Sequence, residues 1–368
     1  MKVPFGDLRA QYKAHQAEID KAISSVIAKT AFIGGAPVNE FSADFRRLFK
    51  APYFVPCANG TDAIYIALRM LGIGPGDEVI TTAHSWIATS EVITQAGAKP
   101  VFVDVDPYYG IDLGGIEAKI SSRTRAIVPV HLYGQALNMT RIMEIAAKHD
   151  LRVVEDCAQA HLAAWEEKLV GTFGHAGTFS FYPGKNLGAY GDAGGVVTTD
   201  PELAQKMRIF AVHGQEEKHQ HQIEGINSRL DGLQAAILSA KLPFLEAWTK
   251  RRQEIAALYD SLLGDTGEVE IPLRRSGASH VFHLYVIQTD DRDALAEYLK
   301  ETGISTGLHY PIALPFLPAY QYLGYRQEDF PRSARNQVRI LSLPIYPEMT
   351  NSMVEYVAEK IRVFFSSK

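Results

Sequence analysis

The sequence predicts an α/β fold in which helices cover a mostly parallel sheet. Short strand-like segments, DEVITTA, KPVFVDVD, RAIVPVHLYG, RVVEDCA and GTFSFYP, alternate with helical patterns such as TSEVITQAGA and MTRIMEIAAKHD. Such alternation is typical of parallel strands, because a crossover must carry the chain back between them. The chain has 368 residues, of which 46% are hydrophobic and 21% charged. This composition is that of a globular protein of about two domains with a substantial core.

A change of character near residue 245 predicts a domain boundary. The segments that follow are RRQEIAALYDSLL, HVFHLYVIQ, RDALAEYLKETG and TNSMVEYVAEKIRVFF, a shorter mixture of helical and strand patterns. We therefore expect an N-terminal segment and large domain over residues 1–245, and a smaller C-terminal α/β domain over residues 246–368.

Charge and cysteine content argue against several classes of protein. The net charge is −5 and the basic residues form only isolated doublets, so we expect neither nucleic-acid nor membrane binding. No apolar run reaches membrane-spanning length, and MKVPFGDLRAQYK lacks the core of a signal peptide. Cys57 and Cys157 lack metal-ligand spacing. We expect a cytoplasmic protein with reduced thiols, no metal and a small, polar substrate.

The most informative residues follow the strands, because ligands of open parallel sheets bind beyond the carboxyl ends of the strands. Asn59, Gly60 and Thr61 precede a helix that carries Ile64, Ala67, Leu68 and Leu71 at helical spacing. Free N–H groups at a helix start suit a phosphate. A simple helix cap by Thr61 explains this stretch equally well.

Two acids, Glu155 and Asp156, end the strand RVVEDCA. Strand alternation directs their side chains to opposite faces, so at most one of them faces a shared pocket. On local grounds alone, the simpler interpretation is a charged strand end that meets solvent.

A lysine, Lys185, lies in SFYPGKNLGAYGDAGG between a strand pattern and a glycine-rich stretch. Its ordinary interpretation is a surface lysine in a loop. A phosphate cradle, an acid and a lysine after successive strands are, however, what pyridoxal 5'-phosphate (PLP) requires. Lysine binds its aldehyde, a carboxylate keeps its pyridine nitrogen protonated and helix N–H groups hold its phosphate.

Five motifs occur in order along the chain: CANGTDA, VVEDCAQAH, SFYPGKNLGAYGDAGG, GINSRLDGLQAAIL, and LHYPIA with ILSLPIYPEMT. Together they closely resemble the sugar aminotransferases of the DegT/DnrJ/EryC1/StrS family over nearly the whole chain. The resemblance implies a fold type I PLP-dependent transferase, similar to aspartate aminotransferase, with a large mostly parallel-sheet domain and a smaller C-terminal α/β domain. It also implies L-glutamate as amino donor, a ketosugar as acceptor and pyridoxamine 5'-phosphate (PMP) as the intermediate form of the cofactor.

The resemblance also implies residue roles. Lys185 matches the Schiff-base lysine and Asp156 the partner of the pyridine nitrogen. Asn227 matches an asparagine that reaches the phosphate in the neighbouring subunit, which implies a homodimer with shared active sites; a helix cap within its own chain is the alternative. The other implied cofactor contacts are phosphate ligands (Gly60, Thr61, Ser180), a residue near the ring oxygen (Gln159) and a stacking aromatic that core packing also explains (Trp86).

Three further residues, Arg229, His309 and Tyr310, match positions that face substrate. Arg229 is equally well explained as an interface salt-bridge partner, and His309 as a surface histidine with its hydrogen bonds satisfied.

The motifs look most like those of members that aminate C3 of nucleotide-linked 3-keto hexoses, which implies aminosugar biosynthesis. Pro315 and Phe316 stand about where many relatives carry histidine and leucine. A 4-keto sugar, a sugar without a nucleotide or a cyclitol ketone therefore stays open as the acceptor. Two other classes are a non-catalytic PLP-binding regulator and a nucleotide-binding α/β protein. Lys185 argues against a dehydratase of the same family, which typically carries histidine at this position.

Overall fold

The computed structural model describes residues 1–367. Its α-helices are α1 (Leu8–Ala14), α2 (Gln16–Lys29), α3 (Gly35–Phe49), α4 (Gly60–Met70), α5 (Ala88–Gln95), α6 (Leu113–Ile116), α7 (Met139–Lys148), α8 (Pro201–Ala211), α9 (Gly232–Lys241), α10 (Leu245–Leu263), α11 (Arg292–Glu301), α12 (Pro331–Arg339) and α13 (Asn351–Ser366). The helices expected from TSEVITQAGA and MTRIMEIAAKHD correspond to α5 and α7.

The strands are β1 (Tyr53–Cys57), β2 (Glu78–Thr82), β3 (Lys99–Val103), β4 (Thr124–Val128), β5 (Arg152–Asp156), β6 (Ala164–Trp165), β7 (Lys168–Leu169), β8 (Ala176–Ser180), β9 (Gly194–Thr198), β10 (Gln215–Glu217), β11 (Gln220–His221), β12 (Tyr285–Gln288) and β13 (Ile340–Leu343). Seven of them form the central sheet in the order β1-β9-β8-β5-β4-β2-β3. Strands β8, β5, β4, β2 and β3 are parallel to one another, whereas β9 is antiparallel to both of its neighbours. The predicted α/β class with a mostly parallel sheet is therefore confirmed.

Helices pack on both faces of this sheet, as expected for parallel strands whose residues are nearly all buried. On one face, α3 brings Phe41, Phe45 and Phe49 against Phe179 and other buried side chains. On the other face, α4, α5 and α8 pack against the same strands. At the carboxyl ends of the sheet, Asp156 is the last residue of β5 and Ser180 the last residue of β8.

The C-terminal part has its own core. Strands β12 and β13 pair antiparallel, with Tyr285 opposite Leu343, and α10, α11 and α13 pack against them. Val3 also lies in this core, and it pairs with Ile304 in a parallel bridge. Helix α10 begins at Leu245, and we keep the domain boundary between residues 245 and 246 as a proposal.

The two cysteines of the chain, Cys57 and Cys157, are both free and buried, as expected for core thiols. Within residues 1–367, no helix combines the length and the apolar character needed to cross a membrane.

Candidate active site

A cavity of about 460 Å³ lies at the carboxyl ends of the central strands. Asp156 ends β5, Ser180 ends β8 and Lys185 follows β8, so the sheet itself brings these three residues to one edge. The proposed site residues that line this cavity are Gly60, Thr61, Trp86, Asp156, Gln159, Ser180, Lys185 and Tyr310. Residues far apart in the sequence are thus brought together around the lysine.

A second cavity, of about 390 Å³, adjoins the first. It shares Gln159, Lys185 and Tyr310 with the first cavity and adds His309. A larger cavity of about 760 Å³ lies elsewhere, and its lining includes Arg229 but not Lys185. The chemistry of the lining, rather than size, therefore identifies the two cavities around Lys185 as the candidate active site.

The start of α4 forms one wall of the cavity. Asn59 has extended backbone, and its side chain accepts a 2.8 Å hydrogen bond from the N–H of Asp62. Asn59 is therefore the helix cap, and the interpretation of Thr61 as the cap is wrong. Within residues 1–367, the N–H groups of Gly60 and Thr61 and the Thr61 hydroxyl have no hydrogen-bond partner. These donors are available to an anion at the helix start.

Gly60 allows α4 to lie directly against the end of β8. A Cβ atom at this position would lie 2.6 Å from the Cβ of Ser180, closer than real Cβ atoms approach. The residue type at position 60 therefore brings the helix N–H groups and the Ser180 hydroxyl to the same corner of the cavity.

Asp156 points into the cavity and is only 6% exposed. Its Oδ2 accepts a 2.8 Å hydrogen bond from the Thr89 hydroxyl, and its Oδ1 accepts a 3.1 Å hydrogen bond from the N–H of Ala158. Ser85 Oγ lies 3.1 Å from the Thr89 hydroxyl. The carboxylate is thus held in one orientation by neutral donors, which leaves its charge available to a cationic ligand.

Glu155 points to the opposite face, as alternation along the strand predicted, and it is fully buried. It accepts hydrogen bonds from the N–H groups of Gly171 at 2.7 Å, and of Phe173 and Gly174 at 2.8 Å. The interpretation of this acid as a solvent-facing strand end is therefore wrong. Glu155 instead fixes the turn that leads into β8.

His131 also contacts Glu155, with its Nε2 3.1 Å from the carboxylate, and Cys157 completes a buried cluster of possible metal-ligand types. The Nδ1 atom of His131 accepts a hydrogen bond from the N–H of Leu137, so the proton lies on Nε2 and is donated to Glu155. Both ring nitrogens are therefore occupied by hydrogen bonds within the protein.

Lys185 is half-buried, and its ammonium group has no hydrogen-bond partner within the described residues. Desolvation lowers the pKa of Lys185 to about 8, although the negative charge of Asp156 opposes this shift. Desolvation and the charge of Lys185 also lower the pKa of His161 to about 3 and that of His309 to about 4. These imidazoles are neutral near pH 7, and Lys185 supplies an amine that is easily deprotonated.

Gln159 links the two cavities. Its Oε1 accepts a 2.6 Å hydrogen bond from the N–H of Tyr133, and its Nε2 donates to the Tyr310 hydroxyl at 3.1 Å. Burial raises the pKa of the Tyr310 phenol, so its hydroxyl keeps its proton and can donate it towards a ligand. Sequence reasoning missed both Thr89 and Tyr133, because each lies in an unremarkable local pattern and acts through a residue distant in the sequence.

Trp86 is 57% exposed, and its ring centroid lies 5.5 Å from that of Tyr310. The interpretation of Trp86 as a core residue is therefore wrong, and its ring is available for stacking in the cavity. His309 is half-buried rather than on the surface. Its Nδ1 lies 2.8 Å from Ser342 Oγ, and its ring stacks on Phe5.

Two proposed residues, Asn227 and Arg229, lie outside both cavities around Lys185 and are exposed. Asn227 pairs with Val212 in an isolated bridge, and the N-cap of the next helix is Asp231. The alternative that Asn227 caps a helix in its own chain is therefore wrong. No carboxylate of residues 1–367 lies within 4.0 Å of the Arg229 guanidinium.

Pro315 and Phe316, which stand about where many relatives carry histidine and leucine, lie outside both cavities around Lys185. Both residues belong to a 3₁₀ turn, Leu314–Phe316, and Pro315 is buried. Phe316 packs edge-on against Phe330 with ring centroids 6.1 Å apart. These two residues thus contribute to packing and line neither cavity.

The donor set of the first cavity fits PLP. The free N–H groups at the start of α4, with the Thr61 and Ser180 hydroxyls, match a phosphate, and the close approach at Gly60 forms that cradle. The carboxylate of Asp156 matches a protonated pyridine nitrogen. Lys185 provides the amine for an aldehyde.

The chain matches the profile of the DegT/DnrJ/EryC1/StrS aminotransferase family over residues 13–362. It is 46% identical to a "Pleiotropic regulatory protein" of Geobacillus stearothermophilus, over 99% of both chains. It is 42% identical to a UDP-N-acetyl-3-dehydro-α-D-glucosamine 3-aminotransferase of Acidithiobacillus ferrooxidans, over 98% of this chain and 97% of the relative.

Solved structures show the same fold. DesV of Streptomyces venezuelae, in complex with a ketimine intermediate, superposes with a TM-score of 0.97 at 39% identity, over 99% of this chain and 98% of that chain. NtdA from Bacillus subtilis, with bound cofactor PMP, superposes with a TM-score of 0.87 at 31% identity, over 97% of this chain and 85% of that chain. The expected PLP-dependent aminotransferase fold and cofactor are confirmed. The chain belongs to the DegT/DnrJ/EryC1/StrS aminotransferase family.

Proposed function

We propose that this chain transfers an amino group from L-glutamate to a nucleotide-linked 3-keto hexose in aminosugar biosynthesis. The observation that carries the proposal is the arrangement of Lys185, Asp156 and the start of α4 around one cavity. Gly60, Thr61 and Ser180 hold the phosphate of PLP, and Trp86 stacks on its ring. Gln159 lies beside the ring oxygen, and its hydrogen bonds to Tyr133 and Tyr310 fix its orientation.

In this proposal Lys185 attaches PLP and moves the proton. Its pKa of about 8 keeps a useful fraction of free amine near neutral pH. Once displaced by the amino donor, that free amine would take the proton from Cα of the donor and deliver it to C4′ of the cofactor. In the second half-reaction it would move a proton the other way, from C4′ to the carbon of the acceptor that becomes aminated. The neutral imidazoles of His161 and His309 leave the amine without a competing cation beside it.

Asp156 holds the proton on the pyridine nitrogen, with Thr89 and the N–H of Ala158 fixing its carboxylate. When bound, PLP supplies the electron sink that makes removal of the Cα proton accessible. The carboxylate is nearly excluded from water, so water screens its charge at the nitrogen only weakly.

The names of two relatives support a nucleotide-linked 3-keto hexose as the acceptor. The Acidithiobacillus protein is named for a UDP-linked 3-dehydro sugar. A Streptomyces venezuelae relative at 39% identity is named a dTDP-3-amino-3,4,6-trideoxy-α-D-glucose transaminase. His309 and Tyr310 line the second cavity beside Lys185, where the acceptor carbonyl must lie to react. A 4-keto sugar, a free sugar or a cyclitol ketone is the alternative acceptor.

The second candidate function is a PLP-binding regulator, which the name of the Geobacillus relative favours. The response to L-glutamate distinguishes the two functions. For the aminotransferase, L-glutamate removes the absorbance band of the lysine-bound cofactor and releases one 2-oxoglutarate per site, whereas D-glutamate does neither. A band that persists in L-glutamate would rule out the aminotransferase and favour the regulator.

The active assembly in this proposal is a homodimer with shared sites. Exposed Asn227 and Arg229 lie outside the cavities around their own Lys185, so each is free to complete the cavity of a partner. In that arrangement Asn227 reaches the phosphate, and Arg229 faces the substrate of the partner's site. Two-fold symmetry completes both sites at once.

Subunit exchange tests the shared site. Lys185→Ala and Asn227→Ala chains, each poorly active alone, are expected to recover about a quarter of wild-type activity when mixed equally, because half of the dimers then hold one complete site. Lys185→Ala mixed with Asp156→Asn is the matched control, since both changes affect the same chain's cavity and no complete site forms. A mixture no better than its components, or an active monomer in sedimentation, would contradict the shared site.

We also infer a cytoplasmic location. Two buried cysteines without a disulfide support it, because secreted proteins usually oxidise such thiols in pairs. Fractionation of the producing cells, followed by detection of the protein, tests this inference.

A further inference from the structure

Lys241 is a fully buried lysine that the candidate active site does not include. It is the last residue of α9, and its side chain is 0% exposed. No carboxylate within the described part of the chain lies close enough to form an ion pair with it. Desolvation lowers the pKa of Lys241 to about 8, with Glu348 opposing the shift. Because a buried ammonium without an ion pair is costly, its position calls for a structural or functional reason.

The contacts of Lys241 are with the stretch that follows Lys185. Its Nζ donates a hydrogen bond to the carbonyl of Gly188 and lies 5.1 Å from the centre of the Tyr190 ring. The N–H of Tyr190 donates in turn to Oε1 of Gln234, another residue of α9, at 2.8 Å. Helix α9 therefore holds this stretch at two points.

The same stretch closes the loop that carries Lys185. The N–H of Lys185 donates to the carbonyl of Tyr182, and the N–H of Ala189 donates to that of Phe181, both at 2.8 Å. At Gly188, a Cβ atom would lie 2.3 Å from the carbonyl oxygen of Pro183. The loop is thus packed against itself, and a displacement of Gly188 is passed to the turn that places Lys185.

We propose that Lys241 is a positioning residue for Lys185, acting through the carbonyl of Gly188. The proposal rests on the role of Lys185 in the proposed function. Helix α9 begins directly after the segment that carries Asn227 and Arg229, and the N–H of Gly232 donates to the carbonyl of Phe32. The same helix therefore connects the segment assigned to the partner's site with the loop of Lys185.

The test is the replacement Lys241→Met, which removes the charge and the hydrogen bond but keeps most of the length. Turnover is expected to fall about 10- to 100-fold, as small misplacements of a reacting group do. The midpoint pH, at which the absorbance band of the lysine-bound cofactor is half-converted, is expected to shift by about one unit, because the Lys185 nitrogen moves relative to Asp156. Lys250→Met, at an exposed lysine of α10, is the matched control and leaves both values unchanged.

Gln234→Ala loosens the same loop at Tyr190 and carries the test if Lys241→Met does not fold. It is expected to shift the midpoint in the same direction by a smaller amount. A lower melting temperature with an unchanged midpoint, in whichever variant folds, would overturn the proposal, because it indicates a purely structural role. Failure of the proposed function is distinguishable, since wild-type protein would then show either no lysine-bound band or a band that persists in L-glutamate.

Discussion

Lys185→Ala is expected to lower turnover by at least about 10⁴-fold, because proton transfer by a positioned group alone contributes about 10²- to 10⁴-fold and attachment of the cofactor is lost as well. The phosphate contacts at Gly60, Thr61 and Ser180 do not involve Lys185, so the variant is expected to keep PLP non-covalently. Formation of 2-oxoglutarate measures turnover, and absorbance after gel filtration measures retained cofactor.

Lys250→Ala is the control for this experiment, because Lys250 is an exposed lysine far along the chain on α10. It is expected to match wild type in both measurements. Activity of Lys185→Ala close to that of wild type would contradict the assigned role.

Asp156→Asn is expected to have the next largest effect. It removes the negative charge with little change in size, and loss of one partner of a buried ion pair costs about 3–5 kcal/mol. Turnover and the glutamate half-reaction are therefore expected to fall by roughly 10²- to 10⁴-fold, with weaker retention of PLP. The Thr89 hydroxyl and the N–H of Ala158 can still bond to the amide, so the melting temperature of the protein without cofactor is expected to change little.

Glu155→Gln is the matched variant on the opposite face of the same strand. Its amide would present N–H groups to some of the donors of Gly171, Phe173, Gly174 and His131. Each buried donor left without a partner costs about 1–3 kcal/mol, so the melting temperature is expected to fall. Turnover per folded, PLP-loaded site is expected to stay near wild type. Equal losses of turnover in the two variants would show that the wrong acid has been assigned to the cofactor.

Much of the sheet could be predicted, because β2, β3, β4, β5 and β8 each contain β-branched or aromatic residues in a short run, and helical patterns separate most of these runs. Strands β1 and β9 were not predicted. Strand β9 begins with two glycines, and β1 contains Pro56, both of which weaken a strand pattern. One of these glycines, Gly195, is explained by its packing against the neighbouring strand β1, because a Cβ atom at this position would lie 2.2 Å from the Phe54 ring.

The residues of the candidate site also fall into two groups, those that could be predicted from the sequence and those that could not. Lys185, Asp156 and the start of α4 could be found from sequence, because each follows a strand and the fold brings such residues to one edge. The correct cap could also have been chosen, since asparagine caps helices better than threonine. Thr89, Tyr133 and Lys241 act through contacts across long sequence separations, and nothing in their local patterns indicates this.

The role of Lys185 is tested by identifying the residue that binds the cofactor covalently. Purified protein loaded with PLP is reduced with borohydride, digested and analysed by mass spectrometry. If Lys185 binds the cofactor, a pyridoxyl group is expected on the peptide that contains it, and none is expected in Lys185→Ala protein treated in the same way. A pyridoxyl group on another lysine, such as Lys241, would contradict the assignment of Lys185 as the residue that binds PLP.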